Sequence, residues 1–219
     1  MIAVTTAQRQ ASAGHTPPPG GDPDGELSDP GGFRRRLVDG LAASIVERGY
    51  RDTTVADIVR HARTSRRTFY EQFASREECF AGLLADVNAE MVRRIAAAVD
   101  PRAPWRDQVR QAVEAWVAYA ESQPAVTLSW IRDAPSLGLP GCRGEATDAF
   151  AGMIQALGDT EVMRAAGVGP VSREVAVMLL GALRELAATT VEDGGRIGDV
   201  TETAVRASVA LLGSGAVRP

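Results

Sequence analysis

The sequence predicts an all-α protein of about nine helices. Along most of the chain, apolar residues recur at intervals of three and four, which is the periodicity of an amphipathic helix. No stretch alternates apolar and polar residues with a period of two for long enough to indicate a strand. Aromatic residues are only 5% of the 219 residues and Ala is frequent, and this composition favours helices over sheets.

The composition also limits the class of protein. With 45% hydrophobic residues, the chain can bury one or two ordinary cores. No apolar run approaches the roughly 18 residues of a membrane-spanning helix, and the N-terminus lacks the basic and apolar regions of a signal peptide. The two cysteines, Cys79 and Cys142, are too few for a disulfide framework. We therefore expect a cytoplasmic protein with no membrane partner.

Residues 33–84 predict three short helices and the start of a longer fourth. The first has an apolar stripe at helical spacing and ends at Gly49. Thr54 and Asp57 have the spacing of a capping box, which opens the second helix. The third follows at 66–73 after a short polar break. Two short helices joined by a tight turn, with a longer helix in front, form a helix-turn-helix.

The rest of the chain predicts longer helices separated by Pro- and Gly-containing segments. Loops are predicted around Pro101 and at 134–144, and 158–170 is irregular or briefly helical. The predicted helices are Ser75–Val99, Trp105–Ser122, Ala125–Asp133, Glu145–Leu157, Ser172–Glu192 and Asp199–Leu212. Few apolar residues and three consecutive prolines predict a disordered tail at the N-terminus. The predicted domains are the tail at 1–31, the helix-turn-helix head at 32–78 and a helical domain at 79–219.

The helix-turn-helix segment resembles a known family over roughly 50 residues. The residues that carry the resemblance, in order and at the right spacing, are Gly49-Tyr50, Thr53-Thr54-Val55, Asp57-Ile58, Ser65, Thr68-Phe69-Tyr70, Phe73 and Ser75-Arg76-Glu77. They resemble the N-terminal domain of the tetracycline-repressor (TetR) family. One departure lies in the turn, where Arg63 stands at a position that is usually Gly in the family. Arg is sterically costly at positive φ.

Charge is unevenly distributed along the chain. Residues 1–32 carry one Arg and four acids, residues 33–76 carry ten Arg and five acids, and the remainder carries 13 Arg and 19 acids. A basic module in a chain of net charge −4 is typical of nucleic-acid binding through one domain. With the resemblance, this predicts a ligand-responsive transcriptional regulator, a repressor that binds double-stranded DNA at a palindromic operator.

The third helix is the predicted recognition element. Arg66 and Arg67 can donate bidentate hydrogen bonds to guanine, and the neighbouring hydroxyl groups suit bases or phosphates. The resemblance adds Thr54 and Arg76 as phosphate contacts. The predicted DNA-binding residues are Thr54, Thr64, Ser65, Arg66, Arg67, Thr68, Tyr70 and Arg76.

The resemblance implies that the C-terminal helical domain binds a small ligand and forms a homodimer. Large apolar side chains on successive helices can line a cavity for a small apolar or aromatic effector, and a solid core is the alternative. The predicted ligand-binding residues are Trp116, Tyr119, Trp130, Phe150, Met153, Met178 and Leu179.

The helix predicted at 172–192 is apolar nearly all round, so it should be buried on both sides. Together with the last helix, it can pair with a second copy across a two-fold axis as a four-helix bundle. The alternative is that both helices are central core. The predicted interface residues are Leu180, Gly181, Ala187, Ala188, Val205 and Val209.

The sequence gives little sign of catalysis. His15 lies in the predicted tail and His61 in the head, so we expect no His-based triad, no metal site and no cofactor. Cys142, beside Arg143 in a predicted loop, leaves open a redox-sensing role. The protein is therefore not expected to be an enzyme. The alternative function is that of a helical small-molecule-binding or scaffold protein whose head, with its altered turn, does not read DNA.

Overall fold

A computed structural model describes residues 30–137 and 142–213. Within these ranges the chain forms ten α-helices and no strand, which confirms the all-α class. The helices are α1 (Pro30–Arg48), α2 (Val55–His61), α3 (Arg66–Gln72), α4 (Arg76–Ala98), α5 (Trp105–Ser122), α6 (Pro124–Arg132), α7 (Cys142–Gly158), α8 (Glu161–Ala165), α9 (Arg173–Glu192) and α10 (Thr201–Gly213). Short 3-10 helices lie at Ala134–Leu137 and Ile197–Val200. The predicted tail lies outside the described residues except for Pro30 and Gly31, which begin α1.

Hydroxyl side chains cap the starts of the helices in the head. Thr54 caps α2 through the predicted capping box with Asp57, and Ser65 caps α3. Ser75 caps α4 by accepting a hydrogen bond from the N–H of Glu78 at 3.1 Å. The Glu78 carboxylate accepts from the N–H of Ala74 at 2.6 Å, one residue before the position that a capping box requires. These local bonds fix where the three helices begin.

Two stretches add to or differ from the prediction. Residues 161–165 form the separate short helix α8, capped by the Thr160 side chain, so the segment predicted as irregular or briefly helical is helical there and the helix count of the described ranges rises to ten. Helix α7 begins at Cys142, inside the predicted loop at 134–144. Gly144 favoured the loop, but it lies exposed in the first turn of α7, where a glycine is tolerated. The side chain of Cys142 lies outside what the structure describes.

Helix α4 connects the head to the rest of the chain. It packs on α1 in the head and on α5 and α7 beyond it, so the boundary predicted at residue 78 falls inside this helix. Helix α5 lies against α4 and α10, and α9 lies against α6, α7 and α10. One continuous cluster of buried apolar residues extends from Leu37 in α1 to Val205 in α10. The head (α1–α3) and the helical body (α5–α10) therefore share a core.

None of the helices in the described ranges is long and apolar enough to cross a bilayer. The same residues contain no group of three or more His, Cys, Asp or Glu side chains that could hold a metal ion.

Candidate nucleic-acid interface and effector cavity

The turn between α2 and α3 keeps the geometry of a helix-turn-helix despite its Arg. Arg63 has φ +49°, in the left-handed region. Its N–H donates to the carbonyl of Arg60 at 3.3 Å, and the N–H of Thr64 donates to the carbonyl of Val59 at 3.0 Å. This pair of bonds is a Schellman motif, in which Gly is the usual residue at the position of Arg63. The turn therefore forms, at the steric cost of a side chain at positive φ.

One face of the head presents most of the predicted recognition residues to solvent. Arg66, Arg67 and Tyr70 are exposed on α3, with Tyr70 60% exposed. The Arg67 Nε donates to the Glu71 carboxylate at 3.0 Å, one turn further along α3. Phe69 on the opposite side of α3 is buried in the core and fixes the orientation of the helix. The exposed face of α3 can therefore enter a major groove, where the guanidinium groups of Arg66 and Arg67 would meet the base edges.

The hydroxyl residues predicted to bind DNA also form hydrogen bonds within the protein. The Thr54 Oγ1 donates to the Asp57 carboxylate at 2.6 Å, and its exposed position flanks the start of α2. The Ser65 Oγ accepts from the N–H of Thr68 at 3.1 Å and lies 3.0 Å from the Thr68 Oγ1. Thr64 is half-buried in the turn. These side chains stabilise the helix ends from which a DNA contact would be made.

Arg76 is engaged inside the protein. Its Nη1 donates to the carbonyl of Thr53 at 2.5 Å and lies 3.4 Å from the carbonyl oxygens of Tyr50 and Arg51. Its guanidinium lies over the Tyr50 ring, with the Cζ 4.6 Å from the centroid, and its Nη2 pairs with Glu77 at 3.2 Å. The side chain thus joins the start of α4 to the α1–α2 loop. Its contact with a DNA phosphate remains a prediction. To make that contact, the guanidinium would bind the phosphate in addition to the protein groups that it already binds.

A charged cluster behind the turn holds α2 against α1. The Glu47 carboxylate at the end of α1 accepts from the Arg60 Nη2 at 2.7 Å and lies 2.8 Å from the His61 Nε2. Hydrogen bonds from Arg60, His61 and Arg48 lower the pKa of Glu47 to about 2. His61 therefore serves as a structural partner of Glu47 at the C-terminal end of α2.

The body contains an apolar cavity of about 70 Å³ between α4, α5, α7, α8, α9 and α10. Four of the predicted ligand-binding residues line it. These are Trp116, Phe150, Met153 and Leu179. None of the lining residues carries a charge.

Three predicted ligand-binding residues lie elsewhere. Met178 is 55% exposed on the outer side of α9, so its assignment to the cavity is wrong. Tyr119 is buried with Arg94 over its ring, outside the cavity lining. Trp130 is buried behind the wall, with its ring centroid 5.9 Å from that of Phe150. Helical spacing brought these residues onto apolar stripes but did not show which stripe faced the cavity.

Sequence reasoning missed Gln108 in the cavity wall. It lies in the first turns of α5, next to Val109 of the apolar stripe and eight residues before Trp116. Its Nε2 donates to the carbonyls of Pro101 and Ala103 at 3.2 and 2.8 Å. A polar residue bordering an apolar stripe was the available signal in the sequence.

The predicted dimer interface is largely internal. Leu180, Ala187, Ala188 and Val205 are buried in the core of the same chain, so they are not available on its surface. Gly181 is exposed with open space around it, and Val209 is half-buried. Because α9 is apolar nearly all round, its sequence did not determine which side faces outward. The exposed residues on α9 and α10 are Arg173, Glu174, Met178, Gly181, Ala182, Glu185, Glu192, Glu202, Thr203, Arg206, Ala207 and Ala210.

Comparisons with known proteins agree with the resemblance of the head. The sequence profile described as "Bacterial regulatory proteins, tetR family" matches residues 37–83. No curated protein gives a significant match to the chain.

Solved structures share the fold over most of the chain. The transcriptional regulator FadR from Bacillus subtilis, in complex with stearoyl-CoA, has a TM-score of 0.68 at 14% identity, over 83% of this chain and 98% of that chain. The fatty acid degradation regulator FadR from Bacillus halodurans has a TM-score of 0.68 at 16% identity, over 82% and 94%. A tetR-family transcriptional regulator from Streptomyces coelicolor has a TM-score of 0.68 at 13% identity, over 84% and 82%. The head at residues 37–83 thus matches the tetR family of bacterial regulatory proteins, and the chain as a whole shares the fold of these solved regulators.

Proposed function

We propose that this protein is a ligand-responsive repressor that binds a palindromic operator as a homodimer and leaves it when a small, largely apolar effector enters the body. The observation that carries the proposal is a single apolar core that joins a helix-turn-helix head to an uncharged cavity. The family comprises transcriptional regulators, so the chain is not an enzyme.

The geometry of the turn favours a head that binds DNA. It disfavours the alternative of a small-molecule-binding or scaffold protein whose head does not bind DNA. The altered residue Arg63 adopts the left-handed conformation, and both bonds of the Schellman motif are present. Helix α3 consequently keeps Arg66 and Arg67 exposed on one face. Bidentate pairs from such arginines to guanine are the commonest specific contact in the major groove.

The cavity supports an apolar effector but must expand to hold one. Its volume of about 70 Å³ is smaller than the roughly 300–1,000 Å³ of most ligand sites. Met153 and Met163 lie in its wall, and methionine side chains adapt readily to a changed volume. One fold relative is a fatty acid degradation regulator, and another is a transcriptional regulator in complex with stearoyl-CoA, whose long acyl chain is apolar. An apolar effector that needs this expansion would bind more tightly to a conformation with an expanded body than to the conformation that binds DNA. Effector binding would therefore shift the population away from the DNA-binding conformation.

The outer face of α9 and α10 supports the dimer. Met178 is a large exposed apolar residue there, Gly181 and Ala182 follow it on α9, and Ala207 and Ala210 are exposed on α10. Small residues allow two helix pairs to approach closely across a two-fold axis. The exposed face of α9 and α10 replaces the interface predicted from the sequence, because four of the six residues of that interface are buried within the same chain.

A thermal-shift and operator-release experiment tests the proposal. Apolar or aromatic compounds should raise the thermal midpoint of the protein and release it from operator DNA. Ligand at a hundredfold excess over its Kd adds about 2.7 kcal/mol to the stability of a folded state that alone binds it. Trp116→Ala should abolish this response, since the indole forms part of the cavity wall. The effector proposal fails if no compound stabilises the protein, or if Trp116→Ala responds like the unmodified chain.

A further inference from the structure

We propose that the effector is a neutral molecule with an apolar body that donates a hydrogen bond to Gln108 and accepts one from Trp116. The inference rests on the proposed function, because it assumes that the cavity in the body takes the effector. It adds the chemical groups that this effector must carry and excludes a buried charge.

The Gln108 side chain offers a fixed acceptor. It is 2% exposed, and its Nε2 donates to the carbonyls of Pro101 and Ala103. Turning the amide over would place its oxygen against these two carbonyl oxygens, so the orientation of the amide is determined by its partners. The Oε1 is buried and has no hydrogen-bond partner among the described residues. Gln108 thus holds a buried acceptor without a described partner, in a side chain of the cavity wall, and a ligand can reach this acceptor when the cavity expands.

The Trp116 side chain offers a donor in the same wall. It is 4% exposed, and its Nε1–H has no partner within the described ranges. An indole nitrogen can only donate. Buried polar atoms without partners are rare because their desolvation is costly, and two of them in side chains that line one cavity require an explanation. A ligand that supplies both partners provides it.

The positions of the two residues define the shape of the ligand. They are eight residues apart on α5, which corresponds to about 12 Å along the helix axis. A molecule that meets both is elongated, with a hydroxyl or amide N–H near Gln108 and a carbonyl or ether oxygen near Trp116. The third polar side chain of the lining, Ser208, already donates to the carbonyl of Ala204 at 2.7 Å.

The absence of charge among the lining residues defines the rest of the chemistry. A carboxylate or ammonium group in this cavity would be desolvated without a counter-ion, which is far more costly than burying a neutral polar group. The buried part of the effector is therefore neutral.

Four straight-chain eight-carbon compounds test the inference by calorimetric titration of the full-length protein. They are the alkane, the methyl ketone, the same ketone with a hydroxyl group at its far end, and the carboxylate. We expect the affinity to rise from alkane to ketone to hydroxyketone, by up to about tenfold for each hydrogen bond. The carboxylate should bind at least about tenfold more weakly than the ketone.

Two variants assign the hydrogen bonds. Trp116→Phe keeps an aromatic ring but removes the N–H, so it should weaken the ketone and the hydroxyketone by about tenfold more than it weakens the alkane. Gln108→Met should weaken only the hydroxyketone, and its unchanged affinity for the ketone shows that the variant is folded.

The outcomes separate this inference from the proposed function. Equal binding of alkane, ketone and hydroxyketone, with no selective loss in either variant, overturns the inference while the effector site stands. That result would mean that water molecules satisfy the two polar atoms. Tightest binding of the carboxylate overturns it as well. If none of the four compounds binds, the effector site in this cavity and the inference built on it both fail.

Discussion

The Arg51 Nε donates a hydrogen bond to the Asp133 Oδ1 at 2.9 Å, and this ion pair joins the loop after α1 to the C-terminal end of α6. The Arg51 side chain is 79% exposed, so the pair adds only about 0.2–1 kcal/mol to stability. Its position matters more than its energy. Helix α6 also carries Trp130, whose ring contacts Phe150 in the cavity wall. A chain of contacts therefore runs from the cavity to the head.

Breaking this pair should weaken operator binding without touching the recognition helix. Arg51→Met and Asp133→Asn should each lower operator affinity severalfold, because the head is less firmly oriented for two half-sites. The double variant should bind no more weakly than either single variant, since all three lose the same bond. Fluorescence anisotropy with labelled operator measures the three affinities.

Arg93→Met is the matched control, because its ion pair with Glu90 lies within α4 alone. It should leave operator affinity unchanged. Additive losses in the double variant, or an equal loss in the control, would show that the pair does not orient the head.

Replacing Arg63 by Gly should stabilise the protein. The residue has φ +49°, a conformation that costs an L-amino acid about 1–2 kcal/mol and costs Gly little. After allowance for the greater flexibility of an unfolded chain with Gly, we expect a gain of about 1 kcal/mol, or a rise of about 2–4 °C in Tm. Arg63→Ala keeps the strain and should give no such rise in calorimetry. Equal stabilisation by Ala would assign the effect to the lost charge instead.

Acid should weaken the junction between α1 and α2 through Glu47. The pKa of this carboxyl is about 2 in the folded protein, against an ordinary value of 4.5. Because the folded pKa is the lower one, Glu47 contributes stability above the ordinary value, and this contribution is lost as pH falls from 4.5 towards 2. Thermal unfolding of Glu47→Gln should show a lower Tm than the unmodified protein at neutral pH, with the difference shrinking over that window. A difference that does not change with pH would contradict the assignment.

The exposed face of α9 should form the dimer. Gly181→Arg places a charged side chain where a Cβ meets open space in this chain, so the variant should fold as a monomer. Gly152→Arg, at an exposed glycine of α7 with similar open space, should remain a dimer. Sedimentation velocity distinguishes the two states. If the unmodified protein is monomeric at micromolar concentration, the proposed dimer does not exist.

The parts of the fold set by local chemistry were predictable from the sequence. The caps at Thr54 and Ser75 and the helix end at Gly49 depend on neighbours a few residues away, and each lies where the sequence predicted it. For residues 161–165 the sequence left irregular and briefly helical structure open, because a helix of a single turn is too short to show an apolar periodicity.

Other features depend on distant parts of the chain. The role of Arg76 comes from carbonyl groups of Tyr50, Arg51 and Thr53, which no spacing rule connects to it. The outward face of α9 was also unpredictable, because Leu180 and Met178 are both apolar and only packing places one inside and the other outside.

Recognition of DNA by α3 is the central claim. Arg66→Ala and Arg67→Ala should each cost roughly 1–3 kcal/mol of operator affinity and relax the preference at one base position. Glu71→Gln removes the carboxylate that pairs with Arg67 and should bind at least as tightly as the unmodified chain.

Selection of bound sites from a random pool of double-stranded DNA tests this claim most directly. The unmodified protein should enrich an inverted repeat of two half-sites, centred one helical turn or a multiple of it apart. The Arg66→Ala and Arg67→Ala variants should enrich a repeat that is degenerate at one position of each half-site. Enrichment of no sequence, or of an identical sequence by all three proteins, would contradict the claim that α3 reads DNA.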